Sequence, residues 1–84
     1  MEHHATTRFW EAYEKLPYKV RCVADQNFDL QKKDPFHPSL HFKKVGRFWS
    51  VRAGLKYRAL GIRVDDAMTW FWIGSHDEYD RLIS

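Results

Sequence analysis

The chain contains a single cysteine, Cys22, among its 84 residues. One thiol excludes an internal disulfide framework and is typical of a protein in a reducing cytosol. No apolar run approaches the roughly 18–20 residues that a membrane-spanning helix needs, and the N-terminus lacks the apolar region of a signal peptide. We therefore expect a cytoplasmic protein with no membrane partner.

Several kinds of chemical site are also missing from the sequence. It holds no Walker phosphate-binding loop, no nucleophile elbow and no zinc-ligand spacing. His3 and His4 have no cysteine or carboxylate cluster at ligand spacing nearby, so we expect Met1–Ala5 to form a solvated end. The sequence predicts neither a metal nor a cofactor.

Apolar and aromatic residues, by contrast, are abundant, at 44% and 17% of the chain. This composition is too rich for a disordered protein, and the length predicts one domain, residues 1–84, with one modest core. The formal net charge of +3 mildly favours a polyanionic or acidic partner without identifying it.

The first part of the chain predicts a helical hairpin. Thr6 or Thr7 is a suitable N-cap for a helix that runs to about Lys15. Pro17 separates it from a second helix over about residues 18–32, because proline cannot donate inside a helix. The positions that repeat with helical spacing in the second helix are Val20, Val23, Ala24, Asn27 and Phe28.

The pattern then changes to strands. Leu40–Val45 alternates as a first strand, with Gly46 as the turn into the next. Arg47–Gly61 predicts two strands joined by a tight turn, where we expect Gly54 to supply a positive φ. Met68–Ile73 is apolar on both faces, which predicts a strand in the sheet interior.

A short helix is predicted to close the chain. Ser75 can cap it, Glu78 occupies the capping-box position, and the helix runs through Leu82. The expected fold class is therefore α+β, with an N-terminal helical hairpin packed on a four-stranded, mainly antiparallel sheet and a short C-terminal helix.

Arg52 and Arg58 lie on the two strands of the central hairpin. Their alternation allows them to share one sheet face, although the sequence does not fix the register. Two guanidiniums on a rigid hairpin suit a phosphate, because each presents a planar fork of donors that stays charged. Arg58 is alternatively a structural ion-pair partner of Asp77 or Glu78.

Three segments together resemble the RelE/ParE toxin superfamily of bacterial toxin–antitoxin systems: HPSLHFKKV, WSVRAGLKYRALG and IGSHDEYDRLI. The similarity extends from about Phe9 to Ile83. It implies a helical hairpin before a small antiparallel sheet, and a cognate antitoxin protein as partner. One branch of the family cleaves mRNA on the ribosome, and another inhibits DNA gyrase.

The resemblance also implies a set of catalytic residues. By matching position, Arg52 is the hairpin cation and Arg58 is the arginine that opens the third family strand. His76 matches the basic residue after the last strand, and Tyr79 matches the aromatic residue beyond it. His37 matches the histidine that some endonuclease members carry before the hairpin.

These residues suit metal-free RNA cleavage. His76 can act as base or acid, the two arginines can neutralise charge on the phosphate, and Tyr79 can stack on a base. The residues expected to bind RNA are His37, Lys43, Lys44 and Arg47. Neighbouring strand residues point to opposite faces, so only one of the two lysines is expected to face the site. Lys43 and Lys44 are more often typical of a solvated face, and His76 is equally typical of a solvated surface residue.

The chain departs from the family pattern at two places that bear on function. The first strand of the family is reduced at best to Met1–Ala5, and Ser50 replaces a lysine that some members carry on the hairpin. Our leading hypothesis is a toxin that cleaves mRNA and is neutralised by an antitoxin. The alternatives are a gyrase-directed toxin and an inactive domain that binds RNA or a protein partner.

Overall fold

The computed structural model describes residues 1–84 and contains five strands and three α-helices. In chain order the elements are β1 (Glu2–Ala5), α1 (Thr7–Glu14), α2 (Tyr18–Lys33), β2 (Lys43–Val45), β3 (Phe48–Gly54), β4 (Tyr57–Val64), β5 (Ala67–Ser75) and α3 (His76–Ile83), with a short 3₁₀ helix at Pro38–Leu40 before β2. The α+β class, the helical hairpin and the C-terminal helix are confirmed.

The sheet has the strand order β1-β5-β4-β3-β2. Strands β2 to β5 pair antiparallel in sequence order, while β1 pairs parallel with β5. Strand β5 therefore has a neighbour on each side, as its apolar pattern predicted. The expected number of four strands is wrong, because the N-terminal residues add a fifth strand.

The prediction that Met1–Ala5 is a solvated end is therefore also wrong. The amide of Glu2 donates to Asp66 O at 2.9 Å, and Trp70 Nε1 donates to His3 Nδ1 at 3.1 Å. The N-terminal ammonium group lies 3.4 Å from the Asp66 carboxylate. A segment this short carries no periodic signal, and its pairing depends on a strand more than sixty positions away.

The helix ends follow the local sequence signals. The hydroxyl of Thr6 accepts from the amide of Phe9 at 3.2 Å, as expected of an N-cap. Ser75 accepts from the amide of Glu78 at 3.2 Å, and its hydroxyl donates back to the Glu78 carboxylate at 3.1 Å. These caps fix where the chain enters α1 and α3.

Two local predictions differ from the structure. Leu40 lies in the 3₁₀ helix rather than in a strand, and His41 then adopts a left-handed φ of 49°, so the strand begins only at Lys43. The β3–β4 turn does not use a positive φ at Gly54; left-handed residues occur instead at His41, Gly46 and Asp65. The turn at Gly46 is as predicted.

The sheet has two differently covered faces. We call one the hairpin face, because α1 and α2 pack on it, and the other the α3 face. The core of the hairpin face contains Leu16, Ala24, Leu40, Phe42, Val51, Ala53, Ala59, Met68, Trp70 and Ile73. On the α3 face, Ser50 and Leu60 are almost completely buried. The α3 face thus places polar and charged groups of β3 and β4 under the C-terminal helix.

The helical hairpin buries less than its pattern predicts. In α2 only Ala24 and Gln31 are buried, while Val23 and Phe28 are 41% and 39% exposed. No helix in the structure has the length and hydropathy of a membrane span.

Two glycines of the sheet, Gly61 and Gly54, allow a test of how tightly the core is packed. A Cβ added at Gly61 would lie 2.7 Å from Met68 Cε and 2.9 Å from the carbonyl oxygen of Thr69. Gly61→Ala should therefore lower the free energy of unfolding by about 1–3 kcal/mol, as overpacked cores do. Gly54→Ala is the matched control, because its Cβ would make ordinary contacts at 3.7–3.8 Å; equal losses in denaturant melts would contradict the prediction.

The first strand makes stability depend on pH. Burial, then repulsion from the N-terminal ammonium group and Lys32, lowers the pKa of His3 from its ordinary value of 6.5. The folded protein then binds fewer protons at this site than the unfolded chain, so this stability is present above about pH 6.5 and is lost as the pH falls below that value through the lower pKa of the folded state.

His3→Gln keeps an acceptor for Trp70 and should flatten this decline, measured as the free energy of unfolding between about pH 7.5 and pH 5.5. The control is His4→Gln, an exposed position on the same strand, which should keep the wild-type slope. If the stability of His3→Gln declined with pH as steeply as that of the wild type, His3 would not be the source of the pH dependence.

Candidate functional site

Arg52 and Arg58 are direct partners in the β3–β4 ladder. Ser50 contacts α3, and Arg52 follows two positions later on the same strand, so both arginines lie on the α3 face. The antiparallel register, which the sequence left open, thus brings two cations together at the centre of the sheet.

The environment of Arg58 holds its guanidinium in place without neutralising it. Its Nη1 donates to the carbonyl oxygens of Tyr57 at 2.8 Å and Gly54 at 3.4 Å. Burial and the nearby charge of Arg52 lower the pKa of Arg58, which nevertheless stays protonated near neutral pH. Of the ion pairs in the structure, none joins Arg58 to Asp77 or Glu78. The alternative structural role is therefore not supported.

His76 is the first residue of α3 and lies beside the central hairpin. Its amide donates to Lys56 O in the β3–β4 turn at 2.8 Å. Its Nδ1 lies 3.1 Å from a carboxylate oxygen of Asp80, one helical turn later, and its side chain is 43% exposed. The ring is thus oriented through Nδ1, while Nε2 has no protein partner.

Tyr79 lies on α3, as expected, but its side chain is buried. It is only 5% exposed, and its hydroxyl donates to Ser50 Oγ at 3.2 Å. Its ring centroid lies 5.6 Å from that of His76. A ring this deeply buried is not available to stack on a base, so Tyr79 fastens α3 to β3 instead.

Lys43 and Lys44 point to opposite faces, as expected of strand neighbours. Lys43 pairs with Ser50 and therefore lies on the α3 face with the arginines, while Lys44 pairs with Trp49 on the hairpin face. Both lysines are exposed. Only Lys43 extends the positive charge of the α3 face.

The remaining predicted RNA-binding residues do not join this cluster. Arg47 lies in the β2–β3 turn with its guanidinium 5.3 Å from the centroid of the Phe48 ring. The His37 ring caps the 3₁₀ helix, because Nδ1 accepts from the amide of Ser39 at 3.2 Å. Neither residue contacts Arg52 or Arg58.

The site also contains two residues whose structural roles the sequence did not predict. Asp80 lies next to His76, and its charge acts on Arg58. Its position four residues after His76 in a capped helix was the available signal, because such residues are neighbours on a helix surface. No comparable signal identified Ser50, whose role depends on the packing of α3.

The fold of this chain also occurs in solved structures of other proteins. No family model and no curated protein sequence matches the chain. The RelE of the RelB–RelE antitoxin–toxin complex from Methanococcus jannaschii superposes with a TM-score of 0.75 at 10% identity, covering 96% of this chain and 99% of the other. This chain has the RelE/ParE toxin fold.

Two further RelE/ParE structures agree. The YoeB/ParE toxin from Agrobacterium tumefaciens gives a TM-score of 0.67 at 15% identity over 90% of this chain and 99% of that one. The isolated Escherichia coli RelE toxin gives 0.64 at 13% identity over 99% and 98%. The RelE/ParE fold implied by the three sequence segments is confirmed.

The Tyr79–Ser50 hydrogen bond can be tested directly. Tyr79→Phe keeps the ring but leaves the buried Ser50 hydroxyl without its partner, so it should lower the free energy of unfolding by about 1–3 kcal/mol. In the Tyr79→Phe/Ser50→Ala double variant much of this loss should be recovered, because both polar groups are gone. Strictly additive losses in denaturant melts would show that the bond does not couple α3 to β3.

Proposed function

We propose that the protein is the toxin of a two-protein toxin–antitoxin system and that it cleaves mRNA on the ribosome without a metal. The observation that carries the proposal is the pairing of Arg52 with Arg58 on the face where α3 holds His76. Support for the toxin role comes from the RelE/ParE fold.

In the proposed reaction, the 2′-hydroxyl of a nucleotide attacks the adjacent phosphorus and the bond to the 5′-oxygen breaks. The two arginines stabilise the charge that builds on the phosphate oxygens, where preorganised donors have their largest effect. Lys43 contacts a flanking phosphate on the same face, and salt should weaken this contact.

His76 provides the proton transfer in this scheme. With Nδ1 facing Asp80, the free Nε2 takes the proton of the 2′-hydroxyl or donates one to the 5′-oxygen. A carboxylate at Nδ1 fixes the orientation of the ring. Asp80 is therefore a positioning residue, and Tyr79 contributes only through the placement of α3.

An antitoxin protein is the partner we propose. RelB–RelE complexes are among the structures that share this fold. Several large apolar side chains remain more than half exposed, and such side chains are what a partner helix covers. They are Trp10, Tyr18, Phe36, Leu55, Val64 and Leu82.

Inhibition of DNA gyrase is the second candidate. It is favoured by Ser50, which stands where some nucleolytic relatives carry a lysine and is buried against Tyr79. This reading predicts growth arrest and DNA-damage signalling with intact transcripts.

Inducible expression in bacteria, with primer extension on abundant transcripts, tests the proposal. The wild-type protein should arrest growth and give discrete cuts. His76→Ala should reduce the cleavage rate by about 10²–10⁴-fold, the usual contribution of one acid or base. Arg58→Ala should abolish the cuts as well, because the charge on the phosphate is no longer stabilised.

The controls are His4→Ala and Arg8→Ala, which remove exposed residues of the same types and should behave as wild type. Thermal melts of the purified variants separate lost chemistry from lost folding. Arrest and cuts that persist in both His76→Ala and Arg58→Ala would refute the mechanism, and arrest without cuts would favour the gyrase target.

A further inference from the structure

A cavity of about 260 Å³ lies between the helical hairpin and the sheet, on the face opposite His76. Its walls are mostly apolar and aromatic, including Phe9, Trp10, Tyr13, Phe28 and Trp70. Small residues from both layers, Ala24 of α2 and Ala53 and Ala59 of the sheet, contribute to its lining. An apolar cavity of about 150 Å³ accommodates benzene, so this one has room for a two-ring molecule.

One polar side chain in the cavity wall is buried without a partner. Gln31 is 1% exposed, and its Nε2 has no hydrogen-bond acceptor in the protein. Burying an amide without a partner is costly, so such groups are rare in folded proteins and call for an explanation. An acceptor inside the cavity would satisfy this nitrogen.

His3 presents a second unpartnered donor to the same space. Trp70 Nε1 donates to His3 Nδ1 at 3.1 Å, which makes Nδ1 the acceptor. In the neutral ring the proton must then lie on Nε2, which is buried and has no acceptor in the protein. The ring packs edge-on against Phe28, with centroids 5.2 Å apart.

The charges around the cavity are unevenly placed. Burial and then repulsion from the N-terminal ammonium group and Lys32 lower the pKa of His3, and this repulsion outweighs the opposing attraction of the Asp66 carboxylate, so the potential at this end is positive. The carboxylate of Asp25 is at the Tyr13 side of the cavity, where it accepts from the Tyr13 hydroxyl at 2.8 Å. An acceptor oxygen is therefore favoured near His3 and disfavoured near Asp25.

From these observations we infer that the cavity binds a planar aromatic small molecule that carries a carbonyl or carboxylate oxygen. The oxygen accepts from Gln31 Nε2 and His3 Nε2, and the ring system lies among the aromatic walls. The two unpartnered donors require an acceptor oxygen, and the apolar walls of the cavity favour an aromatic ring system. This binding site does not depend on the proposed RNA cleavage.

The first test compares two probes on the unmodified protein. Indole-3-carboxylate carries both parts of the inferred ligand, while indole has the same rings without the acceptor. In ¹H–¹⁵N NMR titrations, indole-3-carboxylate should shift the side-chain signals of Gln31 and His3 and bind at least about tenfold more tightly than indole, the effect of one satisfied buried donor. Equal affinities, or no binding of either probe at millimolar concentration, would overturn the inference.

Two variants locate the binding. Gln31→Met removes the donor at similar volume and should weaken indole-3-carboxylate about tenfold while leaving indole unchanged. Ala53→Leu fills the cavity from the sheet side and should abolish the binding of both probes. Thermal melts establish that each variant is folded. Undiminished binding to folded Ala53→Leu would place the probes elsewhere and overturn the assignment.

A protein segment is the competing occupant. If the wild-type signals of the cavity residues instead shift with protein concentration, and Ala53→Leu removes this dependence, the cavity is a contact between two copies of the chain. That result would also overturn the small-molecule assignment. Growth arrest and RNA cleavage report on the α3 face, whereas probe binding reports on the cavity. A negative result for one proposal therefore leaves the other intact.

Discussion

The antiparallel pairing of β3 with β4 is the constraint on which the rest of this structure depends. It sets Arg52 directly opposite Arg58, and like charges in that position are destabilising by themselves. The carbonyl oxygens of Tyr57 and Gly54 hold one guanidinium, and the Asp80 carboxylate offsets part of the repulsion. The hairpin thus carries a concentration of positive charge that a bound phosphate would relieve.

The C-terminal helix completes the site because several short contacts fix its position. Ser75 caps it, the amide of His76 donates to Lys56 O, and Tyr79 reaches Ser50 beneath it. These bonds anchor the first turn to the same hairpin that carries the arginines. His76, at the first position of this helix, is therefore held beside the β3–β4 turn.

One face of the sheet carries the apolar core, and the other carries the positive charge. The hairpin face provides the core and leaves a cavity, whose lining includes the small residues Ala24 of α2 and Ala53 and Ala59 of the sheet. On the α3 face, the polar and charged residues Ser50, Arg52 and Arg58 stand at positions where apolar side chains would add to the core. Residues of β3 alternate between the two faces, so a single strand supports both the packing and the charge.

Local signals in the sequence determined the helix caps, the central hairpin and the interior place of β5, because each depends on neighbouring residues or on period-2 alternation. Tertiary structure decided the rest. Strand β1 exists only through its partner β5, Leu40 lies fully buried in a 3₁₀ turn, and α3 places the Tyr79 hydroxyl against Ser50 rather than at the surface. Register and helix docking are long-range properties, and they decided which of the predicted site residues meet.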